Sequence, residues 1–69
     1  MPIQPEFLNW LIRVEAEYLE MPGLQLTERQ MQRLWGLDDH TCAAIVQLLV
    51  TRNVLRKTPK HTYVLATQS

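Results

Sequence analysis

The hydrophobic residues of this 69-residue chain change their spacing once, near Asn53, and this change constrains the fold more than any other feature. Before Asn53, apolar residues recur every three or four positions, which is typical of amphipathic helices. After it come two short runs rich in β-branched, apolar and aromatic residues, at 54–58 and 62–66, separated by residues 59–61. Such runs around a short turn predict a β-hairpin over about residues 54–66.

The first helix is predicted over about residues 5–20. Pro5 suits the first turn of a helix, where its missing N–H costs nothing, and Pro22 with Gly23 marks the turn that follows. The apolar side chains between them form two adjacent rows, of which one is Phe7, Leu11, Val14, Tyr18 and Met21, and the other is Leu8, Ile12 and Leu19. Together with Trp10, these rows make an apolar arc wider than one packed face needs.

A second helix is predicted over about residues 28–35. Thr27 and Gln30 have the spacing of a capping box at its start, and Gly36 is suited to its end. Its expected apolar face consists of Met31, Leu34 and Trp35. Before it, residues 24–26 alternate apolar and polar, which indicates a very short strand or an extended connection.

The third helix is predicted over about residues 39–52. Asp38 and Asp39 are both candidates for its N-cap. Asn53 suits the left-handed position that closes a helix. The expected buried stripe is Cys42, Ile45, Val46, Leu49 and Val50.

A chain of this length forms one domain, predicted over residues 1–69. Such a small domain buries only about 60% of the surface that its unfolded chain exposes. Cys42 is the only cysteine, so no intrachain disulfide adds stability. The hydrophobic core, or a second copy of the chain, must therefore supply it.

The order helix, short strand, helix, glycine turn, longer helix and hairpin resembles a winged helix-turn-helix domain. The residues that carry the resemblance are the Thr27 and Gln30 cap, Trp35-Gly36-Leu37 at the turn, the apolar stripe of the third helix, Asn53-Val54-Leu55, and Tyr63-Val64 on the return strand. The chain looks most like small stand-alone winged-helix proteins of bacteria, and it is similar to the DNA-binding core of MarR-like and ArsR-like regulators. The resemblance implies a mainly α, α+β fold with a small hairpin wing. It also implies DNA binding in transcription regulation, with the third helix as the recognition helix.

Charge is divided unevenly between the two parts of this neutral chain. Residues 1–28 carry one arginine and five glutamates, a net charge of −4, and residues 29–69 carry six basic and two acidic residues, a net charge of +4. Zero overall charge excludes a binder that works on charge alone. From the resemblance, the expected phosphate contacts are Arg29, Arg33, Arg52, Arg56, Lys57 and Lys60. The same charges would equally suit a solvated surface that keeps the protein soluble.

Base contacts are expected from Thr41, Ala44 and Gln47 on the third helix. Glutamine can pair with adenine through two hydrogen bonds, and threonine or alanine can touch a thymine methyl group. The predicted outer face of this helix has no arginine or lysine to bind guanine. The alternative function is therefore a protein-interaction or dimerisation module, with Trp10 and Leu48 as interface candidates, unless a small core uses both internally.

The pattern does not predict an enzyme, a metal site, a cofactor or a small-molecule substrate. His40 and Cys42 are two residues apart on a helix and point in different directions. Gly23 and Gly36 are the only glycines, so no phosphate-binding glycine loop is present. The expected partners are DNA, a second copy of the chain or another protein.

We expect a cytoplasmic protein without a membrane span. The longest apolar run, residues 42–50, contains Gln47 and falls well short of the ~20 residues that a span needs. Residues 1–7 lack the basic residues of a secretory signal.

Overall fold

Three helices are followed by a two-stranded antiparallel hairpin in the computed structural model, which describes residues 5–66. The elements are α1 (Pro5–Glu20), α2 (Glu28–Trp35), α3 (Asp39–Thr51), β1 (Leu55–Lys57) and β2 (Tyr63–Leu65). This confirms the predicted mainly α, α+β class in a winged-helix-like arrangement. The outermost parts of the predicted domain, residues 1–4 and 67–69, lie outside the described residues.

Local hydrogen bonds fix both ends of α2, as the sequence predicts. The Gln30 N–H donates to Thr27 Oγ1 at 3.1 Å, and the Thr27 N–H donates to Gln30 Oε1 at 2.8 Å, which is the predicted capping box. Gly36 has a φ of 65°, and its N–H donates to the carbonyl of Gln32. Because this left-handed backbone favours glycine, Gly36 ends α2 and turns the chain toward α3.

The N-cap of α3 is Asp38, whose Oδ1 accepts from the Thr41 N–H at 2.7 Å. The helix ends at Thr51, one residue before the predicted end, and Arg52 is its C-cap. Asn53 has a φ of 63°. The N–H groups of residues 53 and 54 donate to the carbonyls of residues 50 and 49, at 3.0 and 2.9 Å. This is the hydrogen-bond pattern of a Schellman motif, so Asn53 closes α3 as predicted.

The hairpin pairs Leu55 with Leu65 and Lys57 with Tyr63. Across its tip, the hydroxyl oxygens of Thr58 and Thr62 are 2.7 Å apart. Leu26 extends the sheet by a single residue, because its N–H donates to the Tyr63 carbonyl at 3.3 Å and its carbonyl accepts from the Tyr63 N–H at 2.7 Å. Of residues 24–26, predicted as a very short strand or an extended connection, only Leu26 pairs with the sheet.

The core lies where α1, α3 and the hairpin meet, with α2 packed against α3. Its buried apolar residues are Leu11, Val14, Tyr18, Met31, Trp35, Cys42, Ile45, Val46, Leu49, Leu55, Tyr63 and Leu65. The hydroxyl of Tyr18 donates to the backbone carbonyl of Tyr63 at 2.8 Å and so links α1 to β2. Burial raises the pKa of Tyr18, which therefore stays protonated and able to donate.

Five residues of the predicted apolar rows and faces are largely exposed: Leu8, Ile12 and Leu19 of the second row of α1, Met21 of its first row, and Leu34 of α2. Met21 is 51% exposed because α1 ends at Glu20 and the chain turns away. Leu34 is 59% exposed because the eight-residue α2 reaches the core through one row, Met31 and Trp35. Val50, predicted in the buried stripe of α3, is only half-buried.

Candidate nucleic-acid interface

The outward face of α3 is made of alanine, glutamine, threonine and histidine side chains. Cys42, Ile45, Val46 and Leu49 point into the core. The exposed side chains on the opposite side are His40, Ala43, Ala44, Gln47 and Thr51. Helical periodicity places these five on one face, and at its two alanines the backbone of α3 can approach a partner closely.

A groove of about 330 Å³ separates this face from the hairpin. Its lining residues are Glu28, Ala43, Val46, Gln47, Val50, Thr51, Lys57 and Tyr63. Three elements therefore contribute to it: α3 forms one wall, the hairpin forms the other, and the first residue of α2 closes it.

Charges of both signs meet in this groove. The hydroxyl of Tyr63 donates to Glu28 Oε1 at 3.2 Å, and Lys57 Nζ lies 5.9 Å from the centroid of the Tyr63 ring. Burial, together with the nearby Glu28 carboxylate, raises the pKa of Tyr63, so its hydroxyl remains a donor at neutral pH. The Glu28 carboxylate opposes an anionic ligand, whereas Lys57 attracts one. Nothing in the sequence near Glu28 predicts that it belongs to this site.

The six predicted phosphate contacts are all exposed, but the structure does not bring them together. Of the six, Lys57 alone lines the groove beside Gln47. Successive residues of a strand point to opposite faces, so Arg56 lies on the face of β1 opposite Lys57. Arg52 caps the end of α3, and Lys60 lies in the hairpin turn.

Arg29 and Arg33 form a separate basic pair on α2. They are exposed and one turn apart, on the side of the helix opposite Met31 and Trp35. Neither lines the groove between α3 and the hairpin.

The predicted base contacts divide into two groups. Ala44 and Gln47 lie together on the outward face of α3 and line a shallow depression with Leu48, Thr51 and Phe7 of α1. Thr41 instead is half-buried and lines a second recess, of about 360 Å³. The other residues of that recess are Glu6, Phe7, Trp10, Gly36, Leu37 and Asp38. Thr41 therefore lies at the edge of the outward face, against α1.

Trp10 and Leu48, the predicted interface residues, are half-buried and pack against the core. The guanidinium of Arg13 lies 5.2 Å from the centroid of the Trp10 ring, so Arg13 covers part of the indole. The large apolar side chains that solvent reaches are instead Leu8, Ile12, Leu19, Met21 and Leu34.

The geometry gives the residues with reactive side chains structural roles. Cys42 is buried, and burial raises the pKa of its thiol to about 11, so it is a protonated core side chain at neutral pH. Hydrogen bonding from Thr41 lowers the pKa of Asp38, which keeps this N-cap ionised. Within residues 5–66, no three histidine, cysteine, aspartate or glutamate side chains converge on a point that could hold a metal ion.

The fold and the site together define a winged-helix-like arrangement. In it, a cationic hairpin lies beside a helix face without lysine or arginine. Comparison with protein-family models, with curated proteins and with solved structures finds no match to this chain. No helix in the described part of the chain is long and apolar enough to cross a membrane.

Proposed function

We propose that this chain is a cytoplasmic DNA-binding protein of winged-helix type that acts in transcription regulation. The outward face of α3 enters the major groove, and the hairpin lies along the adjacent phosphates. The observation that carries the proposal is the position of Lys57, which lines one groove with Gln47 and Thr51 of α3. A cation next to a neutral helix face is the arrangement in which phosphate contacts position a protein and helix side chains contact bases.

Two exposed side chains are suited to base contacts. Gln47 carries an amide that can donate to and accept from the major-groove edge of adenine, and Ala44 can pack against a thymine methyl group. Thr41, which is half-buried beside α1, supports the proposal less than these two.

The electrostatic basis of the proposal is local. Between His40 and Ala66 the chain has four basic residues and no acidic one, although the whole protein is neutral. The basic residues of this segment are Arg52, Arg56, Lys57 and Lys60, and all are exposed. Glu28 is the one acidic residue among those that line the groove, and it weakens the attraction for phosphate. We therefore expect DNA binding of modest affinity that depends strongly on salt.

The test is fluorescence anisotropy with a labelled mixed-sequence duplex, repeated over a series of salt concentrations. Each phosphate contact contributes about −0.9 to the slope of log K against log salt. Replacing Lys57 with glutamine should therefore make the slope shallower by about that amount. The matched control is Gln25→Glu, which lowers the net charge equally at an exposed position outside the groove.

Two outcomes would contradict the proposal. Equal changes of slope in the Lys57→Gln and Gln25→Glu variants would show that only net charge matters, not the hairpin. No binding by the parent protein at ~50 mM salt, where phosphate contacts are strong, would exclude DNA as the ligand. The protein-interaction function would then be the better explanation of the exposed surfaces.

A further inference from the structure

α1 has a second apolar surface that its own domain leaves open to solvent. Leu8, Ile12 and Leu19 are 47%, 58% and 60% exposed, and Ala16 between them is also exposed. We call these four residues the α1 stripe. Helical geometry places them within about 80° of the helix circumference, and no charged residue of α1 lies inside that sector. Adjacent exposed aliphatic side chains of this kind mark interaction surfaces.

The charges along the edges of the α1 stripe indicate which partner fits it. Arg13 and Glu20 are both exposed and lie along one edge, seven residues apart, which is about two helical turns. Glu15 lies along the other edge and is half-buried against its own domain. A helix with opposite charges two turns apart along one edge is complementary to a second copy that runs antiparallel to it.

We propose that Ile12, Ala16 and Leu19 of the α1 stripe form the interface of a homodimer in which two α1 helices cross antiparallel at Ala16. Residues at equal distances before and after Ala16 then lie level with each other across the twofold axis. Ile12, four residues before, packs beside the partner's Leu19, three residues after. The Arg13 guanidinium, which lies over the Trp10 ring in the single chain, turns in the dimer to pair with the partner's Glu20. Symmetry forms each of these contacts twice.

Ala16 is suited to the crossing point because its small side chain lets the two helix backbones approach closely. The two Glu15 carboxylates lie on the far edge of the stripe, toward their own domains, and so outside the crossing. The apolar contacts and both ion pairs are formed by residues of α1 alone. The proposal therefore stands whether or not the chain binds DNA, and its test contains no DNA.

The first test is sedimentation equilibrium of the full chain from about 1 µM to about 1 mM, a range that covers weak dimers. We expect the parent protein to reach the mass of a dimer within this range, and the Ile12→Glu variant to stay monomeric. Leu34→Glu is the matched control, because Leu34 is as exposed as Ile12 but lies on α2. A monomeric parent protein at ~1 mM would overturn the proposal, and so would dissociation caused equally by both variants.

The second test exchanges the charges at the edge of the α1 stripe. Arg13→Glu alone places two acidic groups at each contact, and Glu20→Arg alone places two basic groups there. We expect each variant to raise the dimer dissociation constant about tenfold, since two favourable pairs become two repulsive ones. An equimolar mixture of the two variants forms opposite pairs at both contacts, so it should regain the dissociation constant of the parent protein.

The result for the mixture distinguishes this dimer from any other arrangement of two copies. If the parent protein dimerises but the mixed variants do not recover, the antiparallel crossing at Ala16 is wrong. If the variants lower the affinity for a different protein and not for a second copy, the stripe binds another partner. Circular dichroism of each variant establishes that the helical content is unchanged.

Discussion

At the scale of single residues, Tyr18 connects the N-terminal helix to the hairpin. It is the largest of the fully buried side chains in the described part of the chain, and its hydroxyl donates to the Tyr63 carbonyl at 2.8 Å. The same carbonyl also accepts from the Leu26 N–H at 3.3 Å. One backbone carbonyl of β2 therefore accepts hydrogen bonds from two directions, from α1 and from Leu26, which lies two residues before α2.

Replacing Tyr18 with phenylalanine should lower the free energy of unfolding by about 1 kcal/mol. This is the usual net contribution of one intramolecular hydrogen bond. The loss stays this small because the Tyr63 carbonyl keeps its bond from Leu26. Urea denaturation followed by circular dichroism measures the change.

The Tyr63→Phe variant is the control for this prediction, because it removes a hydroxyl whose 3.2 Å bond to Glu28 is only partly buried. We expect Tyr63→Phe to lower the free energy of unfolding by less than Tyr18→Phe does. A larger loss of unfolding free energy for Tyr63→Phe than for Tyr18→Phe would contradict the prediction. It would show that the bond between Tyr63 and Glu28 contributes more to stability than the bond between α1 and β2.

At the scale of elements, the sequence predicts where the helices start and stop better than which face each one buries. The caps at Thr27, Gly36, Asp38 and Asn53 depend on hydrogen bonds within a few residues, so local sequence is sufficient to predict them. Which face of a helix is buried depends instead on residues that are far away in the sequence. The two apolar rows of α1 are similar in sequence, and only the packing of α3 and the hairpin decides that Ile12 is exposed.

At the candidate site, too, the sequence predicts what depends on nearby residues and does not predict what depends on residues far away in the chain. The sequence correctly places Gln47 and Ala44 on the outer side of α3, because the helical period fixes them relative to the buried stripe. It does not predict that Glu28 and Lys57 line the same groove, since these residues are far apart in the chain and come near each other only in the folded protein. Nor does it predict that Thr41 lines a recess together with residues of α1.

The turn between α2 and α3 depends on one glycine, and the chain contains a matched comparison. Gly36 has a φ of 65°, where a side chain is strained, although no atom lies within 4 Å of the position that a Cβ would take. Gly36→Ala should therefore lower the free energy of unfolding by about 1 kcal/mol through backbone strain alone.

Gly23 is equally open but does not have a positive φ. Gly23→Ala should be neutral or stabilising by about 0.4–1 kcal/mol, because alanine restricts the unfolded chain. Thermal and urea unfolding of the two variants test both statements. Equal effects would show that the left-handed backbone at Gly36 is not what holds the turn between the helices.

At the scale of the whole molecule, the proposed dimer determines the distance between the α3 helices of the two copies. α1 packs against α3 on one side and presents the α1 stripe on another. The proposed dimer is therefore layered as α3, α1, the partner's α1 and the partner's α3. Packed helices lie 8–10 Å apart at their closest points, so three such steps in line separate the two α3 helices by about 24–30 Å.

This separation is shorter than the 34–36 Å between successive major grooves on one side of a straight duplex. We therefore expect one copy of α3 at a time to engage DNA, even when the protein is dimeric. The monomeric Ile12→Glu variant should then have the same slope of log K against log salt as the parent protein, since the number of phosphates contacted per duplex is unchanged. Anisotropy titrations of both proteins on one short duplex measure this. A parent slope twice that of the variant would show instead that both α3 helices bind together and that the duplex bends to meet them.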